Sequence, residues 1–335
     1  MKIIKLPGLI DIHVHLRDPG QTEKEDFSTG SRAALAGGFT TICDMPNNKI
    51  PIFTYERLMD KIERAKKTAQ CNIYFYFGTL GDNFAEFEKI YQHVVGLKLY
   101  LDNTTGGFIL NTEKLLSVYN AWKSEKPILL HCEDEHIKTL INIVRQTKKK
   151  THICHIHSRV VLEAIIAAKK EGLPITCGVT PHHLFLTKED EKRLGTYGLM
   201  KPPLPSKEDN NYLWDHLADI DVVESDHAPH TTAEKQSRKP PFGVPGLETT
   251  LPLLLDAVNK KRLIVEDIIR LCYDGPRKIL NLKESKETVV VDMDAEYIIK
   301  GSELKTKCKW TPFEGMKVKG KILQVIQNNN ASAIL

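Results

Sequence analysis

Short β-branched apolar runs recur along the chain, and each is followed by a longer stretch in which apolar residues return every three or four positions. The runs predict strands at Leu9–Val14, Thr40–Met45, Ile73–Phe77, Val94–Tyr100, Ile128–Cys132, His152–His155, Ile175–Val179 and Val222–Ser225. The stretches between them predict helices. Thr54–Lys67 has Thr54 as an N-cap and Leu58, Ile62 and Ala65 on one face; Ser158–Lys170 puts Val161, Ile165 and Ala168 in register and has Gly172 to end it. Strands alternating with helices imply parallel pairing through right-handed crossovers. Eight such strands are what a (β/α)₈ TIM barrel requires, and a doubly wound sheet is the competing topology.

Several segments depart from this rhythm. Residues 102–111 form a turn-rich insertion suited to a mobile loop, and residues 226–247 a long connection containing Pro and Gly. After residue 287 the pattern predicts antiparallel strands at Val289–Asp292, Tyr297–Ile299 and Lys317–Val325. The expected organisation is a barrel over residues 1–287 with a small β extension, 288–335, packed on it and fraying at Asn328-Asn329-Asn330. Leu251–Leu255 reads as the start of a short amphipathic helix, far below the ~20 apolar residues of a membrane span.

Composition narrows the function. Lys and Arg (47) nearly balance Asp and Glu (43), and no basic stripe carries aromatics, so no nucleic-acid footprint is expected. Lys148-Lys149-Lys150 reads as a solvated helix end. Met1-Lys2-Ile3-Ile4-Lys5 lacks the apolar core of a secretory leader, and the seven cysteines are odd in number and scattered. Buried free thiols in a reducing, cytoplasmic setting are expected.

The chemistry concentrates at the predicted strand ends. In an extended strand residues i and i+2 share a face, so His13 and His15 present two imidazoles together, just before a loop. A lone His-x-His is ambiguous between a metal site and ordinary histidines. Lys98, His131, His155 and Asp226 fall at or near the ends of four further strands, where barrel enzymes keep their catalytic groups. Lys98 lies within Gly96-Leu97-Lys98-Leu99-Tyr100, where an ammonium is costly unless paired or neutralised. Either it pairs with a carboxylate such as Asp226, or it reacts with carbon dioxide to give a carbamate whose oxygens suit zinc.

These stretches, with Asp44-Met45-Pro46-Asn47, His152-Ile153-Cys154-His155, Pro181-His182-His183-Leu184, Ser225-Asp226-His227-Ala228-Pro229-His230, Pro245-Gly246-Leu247-Glu248-Thr249 and Trp310-Thr311-Pro312-Phe313-Glu314-Gly315, resemble the amidohydrolase superfamily over about residues 5–325. Within it the chain is similar to the dihydroorotases, particularly the dihydroorotase domain of the animal-type multifunctional pyrimidine polypeptide.

The resemblance implies a zinc-dependent, reversible cyclisation of N-carbamoyl-L-aspartate to L-dihydroorotate in pyrimidine biosynthesis. It implies two zinc ions held by His13, His15, carboxylated Lys98, His131, His155 and Asp226 and bridged by Lys98 and a hydroxide, with Asp226 also the proton shuttle. Arg17, Asn47 and His230 would take the substrate carboxylate, Thr104 would reach the ligand from a lid loop, Lys201 would lie near the substrate rim, and Pro245 and Gly246 would hold the ring. Two departures stand out. Thr105-Gly106-Gly107 loosens the lid, and Gly178 replaces a Glu that in relatives holds a third zinc with Cys154 beside His13, so no third zinc is expected. A homodimer is the usual state of such barrels, and carbamoyl-phosphate synthetase and aspartate transcarbamoylase are the domains with which this one shares a longer polypeptide, if it is not a free enzyme. The alternatives are an allantoinase or dihydropyrimidinase, or a catalytically silent dihydroorotase-like domain in a multi-enzyme assembly.

Overall fold

The computed structural model describes residues 2–327, so the expected fraying at Asn328–Asn330 lies outside the described residues. Eleven strands are present among them: β1 (Ile3–Pro7), β2 (Leu9–Val14), β3 (Phe39–Asp44), β4 (Asn72–Gly78), β5 (Gly96–Tyr100), β6 (Ile128–His131), β7 (Thr151–Ile153), β8 (Ile175–Val179), β9 (Val222–Val223), β10 (Thr288–Ile298) and β11 (Lys317–Ile326).

Strands β2 to β9 pair in parallel in the order of the chain, without the reversal of a doubly wound sheet. The ring closes where Val14 bridges His227, and where Ser225 N donates to both oxygens of Asp11 at 3.1 and 3.2 Å. This is the expected TIM barrel, and the predicted strands agree with the observed ones to within two residues at each end. The helices follow their predicted faces. Thr54 caps Tyr55–Thr68 by accepting from Arg57 N, with Leu58, Ile62 and Ala65 buried; Ser158 caps Arg159–Lys170, with Val161, Ile165 and Ala168 buried. Lys148 ends the preceding helix in a left-handed conformation (φ 53°) and is exposed, as the charge run suggested.

The antiparallel sheet has the order β1-β10-β11 and draws on both ends of the chain. Two expectations change here. The segments Val289–Asp292 and Tyr297–Ile299 are one strand, β10, interrupted by a bulge between Asp292 and Glu296 that locally shifts the register against β11. The N-terminal Ile3–Pro7, read only for its lack of a leader, supplies β1, with Ile4 opposite Val291. The helix Leu247–Asn259 wedges between this sheet and the barrel: Leu251 meets the Gly38 backbone, Leu255 the Gly320 backbone of β11. Leu251, Leu253, Leu254 and Leu255 are therefore all buried, and the helix is apolar on both sides where a one-sided pattern was expected.

Candidate active site

The C-terminal ends of the barrel strands converge on an open cavity of about 380 Å³ lined by His13, His15, Arg17, Asn47, Tyr100, Thr104, Thr105, His131, His155, Lys201, Asp226, Ala228, Phe242 and Gly243. Three of these residues leave their strands through a left-handed backbone: Arg17 (φ 64°), His155 (φ 38°) and Asp226 (φ 46°). Such conformations are disfavoured for residues with a Cβ and persist where packing over-determines them. They turn each side chain across the barrel mouth.

The candidate ligands meet there. Asp226 Oδ1 lies 2.9 Å from His15 Nε2 and 3.3 Å from His13 Nε2. His131 Nδ1 lies 3.2 Å from His155 Nε2, and the His155 ring centroid is 5.0 Å from that of His13. Lys98 is fully buried, and its Nζ is 3.1 Å from Cys154 Sγ. Among the described residues it forms no ion pair, so the alternative pairing with Asp226 is not made; that carboxylate faces the two histidines.

Protonation makes this a demanding arrangement. His15 Nδ1 sits 2.7 Å from Asn47 Oδ1 and His13 Nδ1 3.3 Å from Glu224 Oε2, so each ring offers its N–H to an acceptor behind it. The opposite nitrogen of each then presents a lone pair to the Asp226 carboxylate. Burial, ahead of the nearby Lys98 ammonium, pushes His13 down to about 4, and burial also lowers His15 and His131. Burial raises Asp226, and only the charged forms of His13 and His15 would outweigh it and hold the carboxyl below the usual carboxylate range, a charge that their own burial opposes. Neutral rings therefore turn lone pairs toward an ionised carboxylate, and a cation between them resolves the conflict. His155 Nδ1 is in addition buried without a hydrogen-bond partner. Imidazole nitrogens with a carboxylate are a donor set that zinc accepts, so the residues present fit a metal ion.

Beside this cluster stands a cationic pocket. Arg17 is buried, donates through Nε to Pro229 O at 3.1 Å, and brings Nη2 to 3.1 Å from His230 Nε2. Burial, then Arg17 and Lys24, push His230 far below its ordinary value, so it stays neutral. Lys201 is on the rim, 3.9 Å from Glu133 and 5.7 Å from the Phe242 ring centroid. Thr104 and Thr105 both line the cavity; Thr105 Oγ1 donates to Phe242 O at 2.8 Å, tying the 102–111 loop across the mouth. Two of the predicted residues lie elsewhere. Pro245 and Gly246 are buried behind the wall, Gly246 against the Ser225 backbone with its N–H on His227 Nδ1, and the cavity is instead lined there by Phe242 and Gly243. Asn47 faces His15 and Thr105 O more than it faces Arg17.

Some participants escaped the sequence reading. Tyr100, two residues past Lys98 on the same face of β5, brings a buried hydroxyl without a hydrogen-bond partner to the cavity; the i, i+2 rule that found His15 would have found it. Asp44 pairs with buried Lys61 at 2.8 Å and accepts from Leu16 N, while Lys61 also donates to Met45 O and Asn48 Oδ1. That network clamps the two loops carrying Arg17 and Asn47. Glu224 has no local signal at all. Its carboxylate fills the space beside Gly178, and its oxygen, His13 and Cys154 offer ligand atoms within 4.8 Å of one another. Gly178 itself offers no ligand, as expected, but the place beside it holds a carboxylate from the segment that follows the neighbouring strand.

Residues 4–328 match the amidohydrolase family. The multifunctional protein CAD of Squalus acanthias is 42% identical over 99% of this chain, which spans 15% of that protein's length. A dihydroorotase of Pyrococcus abyssi is 38% identical, the match covering 97% of this chain and 82% of that enzyme. Among solved structures, the L-hydantoinase (dihydropyrimidinase) of Arthrobacter aurescens shares the fold with a TM-score of 0.92 at 24% identity, over 96% of this chain and 84% of that one. The chain belongs to the amidohydrolase family, hydrolases of the barrel type that this mouth of imidazoles and carboxylates describes. Within that family it stands with the dihydroorotases. No helix among the described residues is long and apolar enough to cross a membrane.

Proposed function

We propose that this chain is an active dihydroorotase, interconverting L-dihydroorotate plus water with N-carbamoyl-L-aspartate, the cyclisation being the biosynthetic direction. The observation that carries the reading is a buried guanidinium, Arg17, opening into the same cavity as His13, His15 and Asp226. A ring bearing a carboxylate needs such a partner; a dihydropyrimidine ring does not.

Two zinc ions are assigned to His13, His15, Lys98 as its carbamate, His131, His155 and Asp226. The chemistry such a pair supplies when bound is acidification of a water and polarisation of an amide carbonyl. The chain's own residues do the rest. Arg17 anchors the substrate carboxylate, with neutral His230 behind it and Lys201 at the rim, and this fixes the ring's orientation over Asp226. Asp226 takes the proton of the attacking water as the ring C–N bond breaks and passes it to the departing ring nitrogen; in cyclisation it removes the proton from the carbamoyl nitrogen and returns it to the leaving water. Thr104 and Thr105 close over the bound ring and exclude bulk water. A cytoplasmic homodimer, fused or docked to carbamoyl-phosphate synthetase and aspartate transcarbamoylase domains, belongs to the same proposal, as does the division at residues 287/288; the 15% span of the multifunctional relative supports the fusion.

The deciding experiment is elemental analysis of metal per chain together with turnover of dihydroorotate and dihydrouracil, with and without added zinc and bicarbonate. About two zinc ions and activity on dihydroorotate alone are expected. Activity on dihydrouracil instead would move the chain to the dihydropyrimidinases, and bound zinc without turnover of either would make it a silent module.

A further inference from the structure

One buried carboxylate beside the ligand cluster has no part in the chemistry above. Glu224 follows β9, is fully buried, and lies two residues before Asp226. A carboxylate in such a place is costly unless its lone pairs are filled. Here Oε1 accepts from the His155 backbone N–H at 2.5 Å, while Oε2 faces His13 Nδ1 at 3.3 Å and His152 Nε2 at 3.7 Å. Glu224 thus holds one candidate ligand by its ring and another by its backbone.

The room for it comes from Gly178. Strands β8 and β9 run side by side with Gly178 opposite Val222, and a Cβ on residue 178 would lie 2.7 Å from Glu224 Cδ and 2.9 Å from Val222 Cγ2. A side chain at 178 and the carboxyl of Glu224 exclude each other. One strand leaves the space and its neighbour fills it.

We propose that Glu224 is a positioning residue for the metal centre, its carboxylate standing where the side chain of residue 178 would stand and setting both the His13 ring and the His155 backbone. The inference rests on the reading of His13 and His155 as metal ligands. With its Nδ1–H given to Glu224, His13 keeps the Nε2 lone pair for the centre, the usual role of a carboxylate behind a ligating histidine. His155 has a left-handed backbone (φ 38°), and the bond from its N–H to Oε1 holds that turn so that its ring meets His131. The alternative is that His13 Nδ1, Cys154 and Glu224 themselves bind a cation, in which case Nδ1 is a ligand and not a donor.

The test uses the full chain and five variants: Glu224→Ala, Glu224→Gln, Gly178→Glu, the double Gly178→Glu/Glu224→Ala, and Cys154→Ser. Zinc per chain, zinc affinity by competition with a chromophoric chelator, thermal midpoint and kcat are measured. Glu224→Ala is expected to weaken zinc binding roughly 10- to 100-fold. Gly178→Glu alone is expected to lower both affinity and midpoint by crowding two carboxylates, and the double variant to recover affinity above either single change. Cys154→Ser should leave the number of zinc ions unchanged. Wild-type affinity in both Glu224 variants would overturn the proposal, as would a double variant no better than the singles. Loss of one zinc per chain in both Cys154→Ser and Glu224→Ala, with the remaining ions held as before, would overturn it in favour of a ligand role. Glu224→Gln decides the case if the alanine variant does not fold, because it preserves the packing. Affinity is read without substrate, so a wild-type chain that binds zinc but ignores dihydroorotate would defeat the function proposed above while this comparison still decides Glu224.

Discussion

Asn47 Oδ1 and His15 Nδ1 are 2.7 Å apart, and this one contact assigns the proton on the imidazole and the face it turns to Asp226. The amide expected to serve the substrate lines the cavity and also faces a candidate ligand. Asn47→Leu should therefore weaken zinc binding roughly 10- to 100-fold in chelator competition. Asn47→Asp, which keeps an acceptor at Nδ1, should preserve most of it. Unchanged affinity in the leucine variant would mean that His15 is oriented by something else.

Arg17 makes a different kind of contribution. Lysine retains the charge but loses the planar fork that matches a carboxylate. Arg17→Lys should raise KM for dihydroorotate roughly 10- to 100-fold, about 1.4–2.8 kcal/mol of binding, with the metal content unaltered. An unchanged KM would remove the carboxylate role.

Asp226 is the group to which both directions of the reaction must answer. Its replacement by alanine should lower kcat by about 10²- to 10⁴-fold, the usual worth of a positioned acid–base group. Hydrolysis and cyclisation should fall by equal factors, and circular dichroism should report an intact fold. A variant that retains activity in either direction would transfer the proton to another residue.

Acid should loosen the metal-free fold through histidines that stay neutral. Burial pushes His182 down to about 4, the neighbouring Asp226 opposing it, and its Nε2 is buried without a hydrogen-bond partner. The unfolded chain takes up that proton near 6.5, so the histidine's contribution is fully present above this value. It is lost progressively as pH falls from 6.5 to about 4, to an extent of about 3 kcal/mol. Urea midpoints of chelated protein should drop across this window, and His182→Gln should flatten the slope by one histidine's share. Parallel slopes in the two proteins would exclude His182 as a contributor.

The legible parts of this molecule were those set by periodicity and by local spacing. Eight apolar runs sufficed for the barrel because most strand residues are buried on both faces, and His13 with His15 was visible because a pleat brings alternate residues together. Residues whose partners lie far along the chain were not legible. Glu224 reaches His13 across 211 positions, and β1 finds β10 across the whole barrel. The place of Phe242 and Gly243 was not legible for the same reason: the wall of the cavity is set by how they meet Thr105 and Ala228, a packing relationship without a sequence period.

The left-handed turns at Arg17, His155 and Asp226 bear on how this protein can be engineered. Each costs of order 1–3 kcal/mol relative to a relaxed backbone, and each belongs to a residue proposed for chemistry. Glycine or asparagine at these positions relieves that strain, so a laboratory selection for heat resistance alone would be drawn to them and would discard the catalyst to keep the scaffold. Variant libraries built for durability should hold these three codons fixed.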